Sequence, residues 1–329
     1  MAVSSSIELT IAIPTYNGGR YLAETIDSVL CQLPGVRERR IEILISDNAS
    51  TDDTNSIVNQ YIATYPEIIS YSINTCNLGY DRNVDKLFKI ARGEYVWLLG
   101  DDDTLVSGAL KRFFSVSDQH EDIAVFVFPP SFLNIETQKK LWDRQLNEDI
   151  VCIGGDEFLQ QSLWGTASLS SLCIRKELWN AENVDMYIGS QWVHIGGMIQ
   201  VMRHKRKAYL FADEMVIVRI ANPRWGSNGN QLEIGLKHLA VFENILKLGY
   251  ASRTFECFLE NRFASNFKDI LFLAPSNIKN KLAIAKTMIH FFYAKLRFWL
   301  FDLPLLFIPN TLRYAIVSTG RYVKQIVNK

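Results

Sequence analysis

Gly93-Glu94-Tyr95-Val96-Trp97-Leu98-Leu99-Gly100-Asp101-Asp102-Asp103 sets an apolar, β-rich run directly before three consecutive carboxylates, with one glycine between. Adjacent acids at a strand end repel one another unless something cationic sits among them. A divalent metal carrying a polyphosphate meets that need, because hard cations take carboxylate oxygens and leave positions open for phosphate. A solvated acidic turn is the plain alternative. The strand before the acids and the motifs upstream favour the metal seat.

Strand and helix signals alternate on the N-terminal side of this stretch. Ile7 to Ile13 is β-rich and ends at Pro14. Tyr21 to Gln32 has helical spacing, with Leu22, Ile26, Val29 and Leu30 on one face. Ile41 to Ile45 reads as a second strand. Asp52 and Asp53 then suit the first turn of a helix running to about Tyr65, with Ser50 and Thr51 as its expected caps. Ile68 to Ile73 is a third strand, Val84 to Ala91 a short helix and Tyr95 to Leu99 a fourth strand. Gly108 to His120 is helical, and Ile123 to Phe128 is a fifth strand ending at Pro129-Pro130. This rhythm predicts an α/β fold, a mostly parallel central sheet with helices on both faces. Ligands of such sheets collect at the carboxyl ends of the strands, where every polar cluster so far lies.

Beyond Ser131 the rhythm loosens. Phe132 to Leu146 reads as an outlying β-excursion, Ser168 to Ile174 as a short strand, Gln191 to Arg203 as a helix and Tyr209 to Ile220 as a strand pair. From Asn230 onward the pattern is helical. The Asn222 to Asn230 loop therefore marks the expected division, a catalytic-type domain over 1–228 and a helical region over 229–329.

The chain has 329 residues, with 35 Lys+Arg against 35 Asp+Glu, so no basic field argues for nucleic acid. Five scattered cysteines without a C-x-x-C pair read as reduced thiols, and Met1 to Ser6 carries no secretion signal. Both observations favour the cytoplasm. His290 to Ile308 is dense in aromatics and leucine but interrupted by Lys295, Arg297, Asp302 and Pro304. A membrane span needs about 20 apolar residues with few charges. With the basic residues Arg313, Arg321, Lys324 and Lys329 behind it, the segment suits a bilayer interface, on the cytoplasmic face of an inner membrane. A buried helical hairpin is the competing reading.

Each strand end carries a polar motif. Pro14-Thr15-Tyr16-Asn17 offers a ring to stack on a base and hydroxyl and amide groups for ribose or phosphate. Asp47-Asn48-Ala49-Ser50-Thr51-Asp52 closes the second strand, with Asp47 able to accept a base N–H. Asn77-Leu78-Gly79-Tyr80-Asp81-Arg82-Asn83 closes the third, with Arg82 as a bidentate phosphate donor. The acidic triplet closes the fourth.

In order and spacing these four motifs resemble the family 2 glycosyltransferases of GT-A fold, firmly over Ile7 to Phe128 and loosely over Ser168 to Ser227. The resemblance implies Thr15, Tyr16 and Asn17 at the nucleoside, Asp47 on the base and Arg82 on base or diphosphate. It implies Asp101 at ribose or sugar, and Mn2+ or Mg2+ on Asp102, with Asp103 as the neighbouring metal candidate. Many members carry an acid where Gly100 stands, so the acidic pair here is shifted.

The resemblance further implies a nucleotide-sugar donor, a general base in the second half of the chain and an inverting outcome. The matching stretch, Ile188-Gly189-Ser190-Gln191-Trp192-Val193-His194, has no carboxylate, which leaves Asp185 and His194 as catalytic candidates. A packed histidine is the ordinary alternative for His194. Trp164, Gly165 and Ser168 are acceptor-side candidates, and Arg224 and Trp225 are candidates for a lid over the donor phosphates. Chain size and Y-I-G-S-Q-W-V-H-I-G-G resemble abequosyltransferase-type O-antigen enzymes, which implies a saccharide or lipid-linked saccharide acceptor. Two other readings stand beside this one. A sugar nucleotidyltransferase would want a lysine-bearing glycine loop after the first strand, where Asn17-Gly18-Gly19-Arg20 stands. A non-catalytic nucleotide-sugar-binding protein would explain the missing acid.

Overall fold

The structure, a computed structural model, describes residues 6–141, 146–162, 168–220, 231–273, 277–309 and 312. The N-terminal β-rich run forms β1 (Leu9–Thr15), buried along nearly its whole length, as a central parallel strand must be when helices cover both faces. Next come α1 (Gly19–Leu30), β2 (Ile41–Asp47), α2 (Thr54–Thr64), β3 (Ile69–Ile73), α3 (Tyr80–Ile90) and β4 (Tyr95–Leu98), in the expected alternation. The acids are followed by a two-residue strand, β5 (Thr104–Leu105), then α4 (Ala109–Ser117), β6 (Ile123–Val127), β7 (Pro130–Asn134) and β8 (Lys139–Leu141). β9 (Ile150–Ile153), α5 (Gly155–Ser162), β10 (Leu172–Arg175), α6 (Lys176–Asn180), α7 (Val193–Met202), β11 (Lys207–Leu210) and β12 (Val216–Ile220) follow.

Eight strands form one sheet in the order β3-β2-β1-β4-β10-β6-β11-β9. β1 pairs parallel with β2 and β4, β2 with β3, and β6 with β11. β10 runs antiparallel between β4 and β6, and β9 antiparallel to β11. The sheet is thus mixed, and its parallel half, β3-β2-β1-β4, aligns the polar strand ends along one edge. A second sheet has the order β5-β12-β7-β8. The expected strand pair over Tyr209 to Ile220 is therefore split. β11 joins the large sheet, while β12 pairs with β5, Val216 opposite Leu105, immediately after the acids.

One face of the large sheet packs Leu22, Ile26 and Val29 of α1 and Phe113 of α4 against Trp97, Phe126 and Phe128. Trp97 and Phe128 stack at 3.9 Å between ring centroids. Each of these buried side chains contributes roughly 1.5–3 kcal/mol. On the other side of the molecule α7 packs closely because Gly196 and Gly197 lack side chains. A Cβ at Gly196 would lie 2.2 Å from the Tyr187 ring, and one at Gly197 2.1 Å from Trp179.

The chain divides into two compact units, Met1–Asn222 with Leu248–Tyr250, and Pro223–Lys247 with Ala251–Lys329. The second is helical, with α8 (Gln231–Lys247), α9 (Ser252–Leu273), α10 (Ile278–Phe292), a π-type turn at Phe298–Asp302 and α11 (Leu303–Phe307). Asn277 caps α10, its side chain accepting the Lys279 N–H at 2.7 Å. Phe242 stacks on Phe258 at 3.8 Å inside this unit. Among the described residues no helix is long and apolar enough to cross a membrane.

Candidate active site

Thr15 and Asp47 end β1 and β2 opposite one another. The Thr15 hydroxyl donates to Oδ2 of Asp101 at 2.7 Å, which ties the end of β1 to the end of β4. Gly18 lies against this pair; a Cβ there would come within 2.2 Å of Asp101 Oδ2 and 2.3 Å of Thr15 Oγ1. Asn17 has a left-handed φ of 54°, which asparagine tolerates better than most residues. Its side chain accepts the Thr51 N–H at 2.8 Å, and its own N–H donates to Ser50 Oγ at 2.8 Å. Ser50 and Thr51 thus serve the Asn17 turn. The expected capping of α2 falls instead to Asp52, which accepts from Thr54 N and Gly19 N. Tyr16 beside them is exposed.

The two carboxylate oxygens of buried Asp47 accept from Ser50 N at 2.8 Å and from the Tyr71 hydroxyl at 2.7 Å. Burial and this acid raise the Tyr71 phenol, so it stays a donor. Behind Asp47 a network of amides joins the second and third strand ends to α3. Asn83 accepts from Ser46 Oγ and Asn74 Nδ2 and donates to Ser46 O. Asn48 accepts from Asn74 and from Leu78 N. These bonds start α3 at Tyr80, a turn earlier than expected, with Gly79 at φ 82° as the pivot. Arg82 in that first turn is exposed and makes no ion pair with a described residue.

Asp101, Asp102 and Asp103 are all buried. The Ser170 hydroxyl donates to Asp103 Oδ2 at 2.5 Å while accepting the Gly100 N–H at 2.8 Å. From β12, the Arg219 N–H donates to Asp103 Oδ1 at 3.0 Å, and its guanidinium donates to the Asp102 carbonyl at 2.7 Å and to Glu24. Arg219 also lies over the Tyr21 ring. Burial first, and then Asp102, push the Asp103 carboxyl up to about 7. Gly100 has its own reason here: a Cβ would meet Asp103 Oδ2 at 2.8 Å, and that oxygen is held in place.

The loop before α7 is fastened by Asp81. Its buried carboxylate accepts the N–H groups of Gly189 at 2.7 Å, Gln191 at 2.8 Å and Val193 at 3.1 Å. His194, in the first turn of α7, is buried, with Nδ1 3.2 Å from the Tyr80 hydroxyl and its ring stacked on Trp192. Asp185 is exposed on a 3-10 turn, Asp185–Tyr187, where its N–H donates to Asn183. Neither a hydrogen bond nor an ion pair with another described residue ties its carboxylate to the triplet. Ser168 precedes the 3-10 turn that carries Ser170. Trp164, Gly165, Arg224 and Trp225 lie outside the described residues.

The sequence profile of glycosyl transferase family 2 matches residues 10–175. Over 254 residues the chain is 33% identical to an abequosyltransferase of Salmonella typhimurium, covering 71% of this chain and 73% of that one. The chain belongs to glycosyltransferase family 2. A shorter match, 32% over 117 residues, covers 35% of the chain and 18% of a poly(ribitol-phosphate) beta-glucosyltransferase of Bacillus spizizenii. Among solved structures, S. aureus TarS 1-349 in complex with UDP-GlcNAc aligns with a TM-score of 0.65 at 16% identity, over 88% of this chain and 81% of that one. A mannosyltransferase of Pyrobaculum calidifontis in complex with GDP-Man and Mn2+ aligns at 0.55 and 15% identity, over 97% and 81%. These likenesses show the GT-A fold.

As a family 2 glycosyltransferase, the chain has an acid cluster whose donor set suits a hard cation. Its candidate donor atoms are all carboxylate oxygens, and burial first, then the neighbouring Asp102, raises Asp103 among them. Among the described residues no three His, Cys, Asp or Glu side chains converge as a complete metal cage. A magnesium-type ion needs none, since it is held by one or two carboxylates together with substrate phosphates.

Sequence reasoning missed Ser170, Asp81, Asn74, Asn83 and the clamping role of Arg219. Each acts on a partner far away in the chain, so no local pattern announces it. The glycine pair at Gly196-Gly197 was the one available hint that α7 is closely packed near the site.

Proposed function

We propose that this glycosyltransferase takes a sugar from a nucleotide-sugar donor and passes it to a saccharide acceptor, lipid-linked, in bacterial surface polysaccharide assembly. The observation that carries the donor reading is the buried triplet Asp101-Asp102-Asp103 hydrogen-bonded to the end of β1 through Thr15. Three acids packed this closely repel one another, and a metal carrying a diphosphate would offset that repulsion. The acceptor reading is supported by the relatives, an abequosyltransferase and a poly(ribitol-phosphate) glucosyltransferase.

In this reading Thr15, Tyr16 and Asn17 hold the nucleoside, with the exposed Tyr16 ring on the base. Asp47 accepts from the base, Arg82 reaches the diphosphate and Asp101 meets ribose or sugar. Asp102 would hold Mn2+ or Mg2+, and Asp103, engaged by Ser170 and Arg219, supports it from behind. Bound there, the ion would offset the negative charge that develops on the leaving diphosphate. An acceptor hydroxyl attacks the anomeric carbon from the other side. Of the two candidates for taking its proton, His194 is favoured, because it is held in one orientation between Tyr80 and Trp192. The role requires the tautomer in which Nδ1–H donates to the Tyr80 oxygen and Nε2 accepts.

Peripheral attachment to the cytoplasmic face of an inner membrane belongs to the same proposal. At 3.6 residues per turn, Ile278, Leu282, Ile289 and Tyr293 fall within about 60° on α10, and all four are exposed. Leu296, Trp299, Leu300 and Phe301 extend this apolar surface. From Asn277 to Pro309 the chain carries Lys279, Lys281, Lys286, Lys295 and Arg297 against one acid, Asp302. That balance suits an anionic lipid surface.

The test is thermal stabilisation by a panel of nucleotide sugars with and without Mn2+, since a ligand bound only to the native state raises its stability. The expected result is a shift that needs both components, and that Asp102→Asn removes together with turnover. Unchanged turnover in that variant would overturn the metal assignment.

A further inference from the structure

We infer that Asp81 is a positioning residue, which fastens the loop before α7 so that His194 meets Tyr80 in the orientation transfer requires. The inference rests on the assignment of His194 made above and adds the device that holds it.

Asp81 lies in the first turn of α3, yet its carboxylate serves another element. Three N–H groups from Gly189, Gln191 and Val193 converge on its two oxygens. Val193 is the first residue of α7, and the residue preceding that helix, Trp192, offers no side-chain cap. Asp81 therefore places a negative charge at the positive end of a ten-residue helix whose every side chain is buried. Within the loop, Gln191 has a left-handed φ of 67°, an uncommon conformation for a residue with a side chain. Its own N–H is one of the three that Asp81 binds, so the acid holds the loop in a shape it would otherwise leave.

What this shape fixes is Trp192 and His194. The Trp192 ring stacks on the imidazole at 5.7 Å, and the Tyr80 ring meets it edge-on at 5.9 Å. Tyr80 is the residue immediately before Asp81, so one turn of α3 supplies both the anchor of the loop and the partner of His194. Burial, Asp81 and Asp103 raise the Tyr80 phenol, so it remains protonated while it meets Nδ1. The next residue, Arg82, is exposed on the same turn. Asp85, one turn further on, provides the contrast: it is also buried but binds Lys89 and Trp179 and touches none of the loop N–H groups.

The test compares Asp81→Asn, Tyr80→Phe and, as a structural control, Asp85→Asn. Imidazole nitrogen resonances of His194, read by NMR in the absence of substrate, should move in D81N and Y80F and stay in D85N. With the nucleotide sugar that the panel identifies, D81N should lower kcat on the order of tenfold to a hundredfold, leave the donor KM within about threefold and displace the acidic limb of the pH profile, where a general base gains its proton. Y80F, which keeps the loop anchored, should displace the same limb, so the inference stays testable if D81N does not fold. His194 resonances and a pH profile unchanged in both variants would overturn it, as would a D81N defect confined to donor KM or matched by D85N. A wild-type protein without turnover on any nucleotide sugar would instead overturn the donor reading, and the resonances would still report on Asp81.

Discussion

Ser170 and Asp103 are 67 residues apart in sequence, yet the Ser170 hydroxyl donates to the Asp103 carboxylate at 2.5 Å and accepts the Gly100 N–H at 2.8 Å. One hydroxyl therefore holds both the glycine that opens the acidic turn and the acid that closes it. Ser170→Ala should leave a buried acceptor and a part-buried donor without their partner. We expect a loss of about 1–3 kcal/mol in chemical denaturation. Ser168→Ala, a half-buried neighbour, should change stability by no more than about 0.5 kcal/mol.

The Asp103 carboxyl, raised to about 7 by burial and by Asp102, links stability to pH. In the unfolded chain this group titrates near about 4. Between these values the folded form binds more protons than the unfolded form, so stability held at acidic pH is lost as pH rises through about 7. Metal-free protein should therefore be less stable at about pH 8 than at about pH 5.5, and Asp103→Asn should flatten the difference. Mn2+ added at the higher pH should recover part of it. An equally steep profile in the variant would falsify the assignment to Asp103.

Asn83 joins three segments with its single amide, accepting from Ser46 Oγ and Asn74 Nδ2 and donating to Ser46 O. Removing it strands several buried groups at once. Asn83→Ala should cost roughly 2–4 kcal/mol and lower nucleotide affinity, because the loop before Arg82 loses its anchor. Asn59→Ala, whose amide bonds only the exposed Asn55, is the comparison that should stay near wild type.

Vesicle co-sedimentation reads the α10 surface. The protein should bind vesicles that contain phosphatidylglycerol and bind pure phosphatidylcholine more weakly, with the difference shrinking at high salt. Replacing Leu296, Trp299 and Leu300 together by serine should abolish binding while the melting temperature stays near that of wild type, since all three are exposed. Binding that survives this triple change would place the contact elsewhere.

Much of the nucleotide half was legible because its signals are local. The alternation of Ile41 to Ile45, Ile68 to Ile73 and Tyr95 to Leu99 with helical spacing defines a β/α rhythm, and each polar motif sits at a strand end. The second half was less legible, for reasons that particular residues make plain. β10 is four residues long and enters the sheet antiparallel between β4 and β6, which no periodicity reveals. β12 resembles the second arm of a hairpin with β11, but it lies in the second sheet between β5 and β7. Asp81 reads as an ordinary acid favouring the first turn of its own helix. Only the folded chain shows that it serves the N-terminus of a different one.

The order of the strands also sets a schedule for the molecule's own making. Asp101 to Asp103 emerge after Thr15 but before two of their fastenings, Ser170 and Arg219, which follow 67 and 116 residues after Asp103. Domains generally fold as units during synthesis. A nascent chain that ends before Ser170 therefore has Thr15 to hold Asp101 but neither the Ser170 hydroxyl nor the Arg219 N–H that fasten Asp103. On the proposed reading such an intermediate has the donor-side strands without a finished seat, and competence waits for β12.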